Sequence, residues 1–184
     1  MIAAAAPATP GYGPHGVTRE YAALAPGPDA VALKPVLDVP LTDASIAMGP
    51  DKAFYLTGSE VGSEGARFSP RVVIRRSPDL ERWEEIRTVE TGVGVCSPEV
   101  HYLKGSFWLT LGLEGGGTEL VRFETDDLAV SPFQRARITL GGEDPSLFLD
   151  DDGAFYWVTG AGEVARLREN PLDGLAENKG QTMA

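Results

Sequence analysis

The stretch Gly142-Glu143-Asp144-Pro145-Ser146-Leu147-Phe148-Leu149-Asp150-Asp151-Asp152-Gly153-Ala154-Phe155-Tyr156-Trp157 places two short apolar runs around an acidic turn. Leu147 to Leu149 suit one strand and Phe155 to Trp157 suit the next. Asp and Gly between them suit a tight hairpin. Asp144 is not needed for that turn. It stands alone, ahead of its strand, and its purpose decides how the chain is read.

The arrangement recurs. Asp43-Ala44-Ser45-Ile46 precedes a turn at Gly49-Pro50-Asp51-Lys52 and the run Phe54-Tyr55-Leu56-Thr57-Gly58, with the same spacing from Asp to the aromatic pair. A third copy lies between them: Ser97-Pro98-Glu99-Val100-His101-Tyr102, a shorter turn at Lys104-Gly105, then Phe107-Trp108-Leu109-Thr110. Starts near residues 43, 98 and 144 give a period of roughly 50 residues, in the range of propeller blades. Further runs, Arg71-Val72-Val73-Ile74 and Glu119-Leu120-Val121-Arg122-Phe123, are brief and β-branched, and turn residues bound them. No segment sustains helical periodicity. Leu80 to Ile86 is at most a helical turn, and Pro78 opposes more.

In a propeller the first strand of each blade lines the central channel. Asp43 and Asp144, at equivalent places in two blades, would then converge on one axial pocket. Two carboxylates at one mouth are unfavourable unless hydrated, hydrogen-bonded or put to use. An equal alternative is that each Asp caps the loop entering its strand, where Asp is common.

The composition bounds the rest. The 184 residues suit one domain, and a hydrophobic share of 42% is that of a globular chain. A net charge of −11 makes nucleic acid and anionic membrane poor partners. Cys96 is the one cysteine, so no intrachain disulfide forms, which leaves the compartment undecided. No apolar run reaches the length of a membrane helix. Residues 1–30 are rich in Ala, Pro and Gly and read as a disordered leader, ahead of a domain over 31–184. The leader has no basic n-region. Secretion, periplasm and cytoplasm all stay open, as does the oligomeric state.

Taken in order, several pieces resemble glycoside hydrolase family 43 and related five-bladed propeller glycosidases. They are Asp43-Ala44-Ser45-Ile46 with Phe54 to Ser59, Arg76-Ser77-Pro78-Asp79-Leu80-Glu81-Arg82-Trp83-Glu84, Ser97 to Tyr102, and Glu143 to Gly153. The resemblance runs from about Val36 to the end. It implies an all-β, partial five-bladed propeller with about three blades present. It also implies an inverting hydrolase of arabinose- or xylose-containing plant polysaccharides, an arabinofuranosidase or xylosidase that needs no cofactor. On this resemblance Asp43 is the general base, and Asp144 tunes and positions a general acid, a Glu at the start of a fourth blade. A closed propeller needs about four blades, and no fourth follows before Ala184. The chain is therefore expected to be a fragment, or a truncated frame, without turnover alone. The alternative is a non-catalytic carbohydrate-binding propeller remnant.

The sequence also departs from the family pattern. Many relatives carry Trp-Ala-Pro where Cys96-Ser97-Pro98 stands, with the Trp near the sugar. Phe68 is the substitute stacking residue. Glu99, taken as the blade-two equivalent of Asp144, is either a substrate contact or a partner for a neighbouring blade. His101 reads as packed inside a blade and His15 lies in the leader, so the two do not suggest a metal site. Asp150 to Gly153 lack the ligand spacing of a calcium loop and read as a solvated turn. Gly115-Gly116-Gly117 precede no helix and read as a hairpin rather than a phosphate loop. Trp83 is expected to lock the outer strand of blade one. Cys96 has no basic neighbour to activate it as a nucleophile.

Overall fold

The strand β5, Ser106–Leu113, is buried along nearly its whole length because both of its faces are covered. Successive side chains of a strand point to opposite faces. Phe107, Leu109, Leu111 and Leu113 face one core, with Tyr55, Val72, Ile74, Val89 and Val100. Trp108 faces a second core, with Leu147, Phe155, Trp157 and Leu167. A strand buried on both faces belongs in the middle of a layered structure.

The computed structural model describes residue 37 and residues 39–60, 68–140 and 142–177. The proposed leader, with His15, lies outside them. The described chain is all-β apart from a single 3-10 turn at Pro171–Asp173. Blade one is β1 (Leu41–Met48), β2 (Phe54–Glu60), β3 (Ser69–Ser77) and the first half of β4 (Glu84–Leu103). The second half of β4 is the inner strand of blade two, followed by β5, β6 (Thr118–Phe123) and β7 (Phe133–Ile138). Blade three is β8 (Ser146–Leu149), β9 (Phe155–Val158) and β10 (Val164–Arg166). All pairings are antiparallel between sequence neighbours. The result is an arc of a β-propeller.

The hairpins follow from their turn residues. Blades one and three use the same turn, with Lys52 (φ 63) and Gly153 (φ 79) in the left-handed region at matching places. Blade two uses the shorter Lys104-Gly105 turn, both residues at positive φ (49 and 71), the geometry that matches strand twist in a two-residue hairpin. Between β3 and β4, the Ser77 hydroxyl accepts the Asp79 and Leu80 N–H groups, and Asp79 accepts those of Glu81 and Arg82. Trp83 sits just ahead of β4 rather than in a strand, and its indole N–H closes this turn on the Leu80 carbonyl.

Inner strands touch across blades. Ser45 Oγ of β1 accepts the Val100 N–H of β4 at 3.2 Å. Thr110 Oγ1 of β5 donates to the Pro145 carbonyl, which leads into β8, at 2.6 Å. The first contact joins two inner strands, and the second seats the start of β8 against blade two.

Candidate functional site

Each inner strand opens with one extra residue. The pairing register of β1 with β2 shifts between Thr42 and Ser45, and that of β4 with β5 between Cys96 and Glu99. In blade three the Gly160 N–H bonds the Glu143 carbonyl, while Ser146 pairs with Val158, which is the same shift. The extra residue is a β-bulge, a device that re-aims side chains. Its first residue has positive φ in all three blades: Asp43 (52), Ser97 (46) and Asp144 (53). Such values are uncommon outside glycine and best tolerated by Asp and Asn. Their recurrence makes them a property of the blade and not of one strained side chain.

The three positions are joined by hydrogen bonds. Ser59 Oγ donates to Asp43 Oδ2 at 3.2 Å and accepts the Ser97 N–H at 2.9 Å. Ser97 Oγ donates to Asp144 Oδ1 at 2.5 Å. Thr42 Oγ1 also reaches Asp43 Oδ2, at 3.3 Å. A continuous run, Asp43–Ser59–Ser97–Asp144, thus crosses three blades. Ser59 and Ser97 are buried, while both aspartates are exposed. Bonds to an ionised acceptor are the stronger kind, and these donors are shielded from competing water.

The facing strands are shaped to fit. Ser59, Gly112 and Gly160 hold matching register places. A Cβ on Gly160 would lie 3.0 Å from Asp144 Oδ2, and one on Gly112 would lie 3.1 Å from Cys96 Sγ. Blades two and three leave room there with glycine, and blade one fills it with the serine that holds Asp43.

The blade-two equivalent of Asp144 is Ser97, not Glu99. The bulge sits at Ser97-Pro98, and the shorter Lys104-Gly105 hairpin displaces any count made from the aromatic pair. Glu99 pairs with Thr110, further along the strand toward the hairpin. Its carboxylate lies 3.3 Å from His101 Nε2. That contact is close in distance but not aligned as a hydrogen bond, so the buried His101 Nε2 has no hydrogen-bond partner.

A cavity of about 260 Å³ adjoins the run, walled by Phe68, Cys96, Gly112, Gly116 and Glu143 among others. Cys96 and Glu143 directly precede Ser97 and Asp144, so the cavity opens beside the two bulges. Phe68 supplies its aromatic surface. A larger cavity of about 510 Å³ lies toward the hairpin ends of blades two and three, among Lys104, Trp108, Arg122 and Phe155. It is remote from the carboxylates, so size does not identify the site here. The sequence reading singled out Asp43, Asp144, Glu99 and Phe68. It missed Ser59, Ser97 and the side chain of Glu143. Only the place of Ser97, directly after Cys96 at the start of a repeat copy, hinted at it.

No family model matches the chain, and no curated protein matches it. Solved structures do. A bifunctional GH43-CE protein of Bacteroides eggerthii superposes with a TM-score of 0.64 at 22% identity, over 78% of this chain and 21% of that one. A GH43 beta-xylosidase/alpha-arabinofuranosidase from a compost microbial metagenome, in a calcium-free form with xylotriose, gives 0.64 at 14% identity, over 79% and 60%. A xylan beta-1,4-xylosidase from Bacillus halodurans gives 0.58 at 22% identity, over 79% and 32%. The chain therefore has a GH43-like fold, and it spans between a fifth and three fifths of the length of these chains.

Proposed function

We propose that this arc is part of an inverting glycoside hydrolase acting on arabinose- or xylose-containing plant polysaccharides. The observation that carries the reading is the run joining Asp43 to Asp144 beside an aromatic-walled cavity on a GH43-like fold. Asp43 is the general base, taking a proton from the water that attacks the anomeric carbon. A carboxylic acid protonates the leaving oxygen, roughly 6.5–9.5 Å from the base. Asp144 stands beside that acid, and its like charge keeps the acid protonated near neutral pH. On the family pattern that acid is a Glu at the start of a fourth blade. Phe68 offers a face for a sugar ring, and Glu99 and Glu143 are contacts for hydroxyls.

The chain alone then binds pentose-containing oligosaccharides without turnover, because general-acid help of about 10²–10⁴-fold is missing. Calorimetric titration with xylo- and arabino-oligosaccharides should show binding that weakens in Phe68→Ala. The oligosaccharides, whose sugar leaving groups need that proton, should stay intact. In any form of the protein that does turn over, Asp43→Asn should lower the rate by about 10²–10⁴-fold and keep sugar affinity. Parent-rate hydrolysis by that variant would refute the assignment of the base.

One observation favours a second reading, a non-catalytic carbohydrate-binding arc. Both carboxylates already accept hydrogen bonds from the protein, as groups that only hold sugar hydroxyls would. It predicts equal affinity losses in Asp43→Asn and Asp144→Asn, and no turnover in any form.

A further inference from the structure

We infer that Ser97 is a positioning residue that makes Asp43 and Asp144 one hydrogen-bonded unit. The significance of this for sugar binding rests on the function proposed above, but the geometry does not.

The donors can be counted. A serine hydroxyl has one proton. That of Ser97 goes to Asp144 Oδ1, and that of Ser59 goes to Asp43 Oδ2. The link between the two serines is the Ser97 peptide N–H, given to Ser59 Oγ. Both hydroxyl protons therefore point outward, each at a carboxylate, from a shared centre. No proton can pass along this run from one aspartate to the other, because its middle link is an amide. What passes is position and polarisation: displacing Ser97 moves the donor of Asp144 and, through Ser59, the donor of Asp43.

The second oxygen of Asp144 is placed as well. Oδ2 packs over Gly160, 3.0 Å from where a Cβ would stand. Turning the carboxylate about its χ2 axis would break the bond that the buried Ser97 hydroxyl makes to Oδ1. Backbone demand does not explain the serine. At φ 46 a glycine would be easier, and an alanine would bear the same strain. The hydroxyl is the feature that distinguishes serine there.

The test reads the side-chain carboxyl carbons of Asp43 and Asp144 by NMR in the full chain. Replacing Asp43 by Asn should shift the Asp144 carboxyl signal in the parent protein. The same replacement should leave that signal unmoved in Ser97→Ala and in Ser97→Gly, which lack the hydroxyl but differ in backbone strain. Ser97→Thr, which keeps the hydroxyl, should retain the response. Should a Ser97 variant fail to fold, Ser59→Ala gives the same reading from the other side: the Asp144 signal should again cease to respond to Asp43→Asn. An Asp144 signal that ignores Asp43→Asn in the parent overturns the inference, as does a response that survives both Ser97→Ala and Ser97→Gly. Titration with xylobiose on the same samples separates the two claims. Failure to bind sugar with the coupling intact would count against the proposed function and not against Ser97.

Discussion

Gly160 and Asp144 show how closely single atoms are set at this rim. A Cβ on Gly160 would meet Asp144 Oδ2 at 3.0 Å and the Glu143 carbonyl at 3.2 Å. One contact is a side-chain tip that can move, and the other is backbone that cannot. Gly160→Ala should cost about 1–3 kcal/mol, the usual range for overpacking, and should weaken oligosaccharide binding by pushing Asp144 aside. Urea melts and sugar titration measure the two effects. A second residue controls the response to acid. The Arg82 backbone N–H, then the Arg82 guanidinium and the Glu81 N–H, hold the Asp79 carboxyl well below the usual carboxylate range. A folded value below the unfolded one means that the folded state binds fewer protons. The contribution is then present above the unfolded value, about 3.9, and is lost as pH falls past it. Asp79→Asn keeps an acceptor for the turn but cannot titrate. Its urea midpoint should fall less steeply than the parent's as pH is lowered from roughly 5 to 2.

The strands differ in how firmly the cores hold them. Among the described residues, the core between blades one and two contains fourteen buried residues, twice the seven of the core between blades two and three. Strands β8, β9 and β10 are four, four and three residues long, against eight for β5. Local opening follows buried apolar contact. Amide hydrogen exchange should therefore be faster across β8 to β10 than across β5 and β6. Equal protection in the two groups would contradict this ranking. The single strand β4 counters such opening between the first two blades, because it is outer strand of one and inner strand of the next.

Over the whole arc, one repeated position has three different fates. Ile46, Val100 and Leu147 match in register on the inner strands of successive blades. Val100 is 2% exposed and Leu147 4%, each covered by the blade before it, but Ile46 is 54% exposed. Ile46→Lys should change stability by no more than about 0.5 kcal/mol. Val100→Lys should unfold the protein, since an unpaired ammonium would be buried there. Chemical denaturation of the two variants compares them directly. Nothing in the residue types separates the sites; all three are aliphatic residues on strands of the same pattern.

The sequence alone determined the blade repeat, its hairpins and the alternation that builds two cores. These depend on local chemistry: turn residues at fixed offsets, and a side-chain period of two that survives without knowledge of neighbours. It also marked Asp43 and Asp144, because a lone acid ahead of an apolar strand stands out twice at one spacing. The tertiary structure decided that Ser97, and not Glu99, completes the set, and that Ser59 ties it together. A bulge and a two-residue hairpin change the count by one residue each, and one residue reverses which face a side chain takes. Hydrogen bonds between blades depend on how close the inner strands approach, a distance fixed by packing that no local pattern encodes.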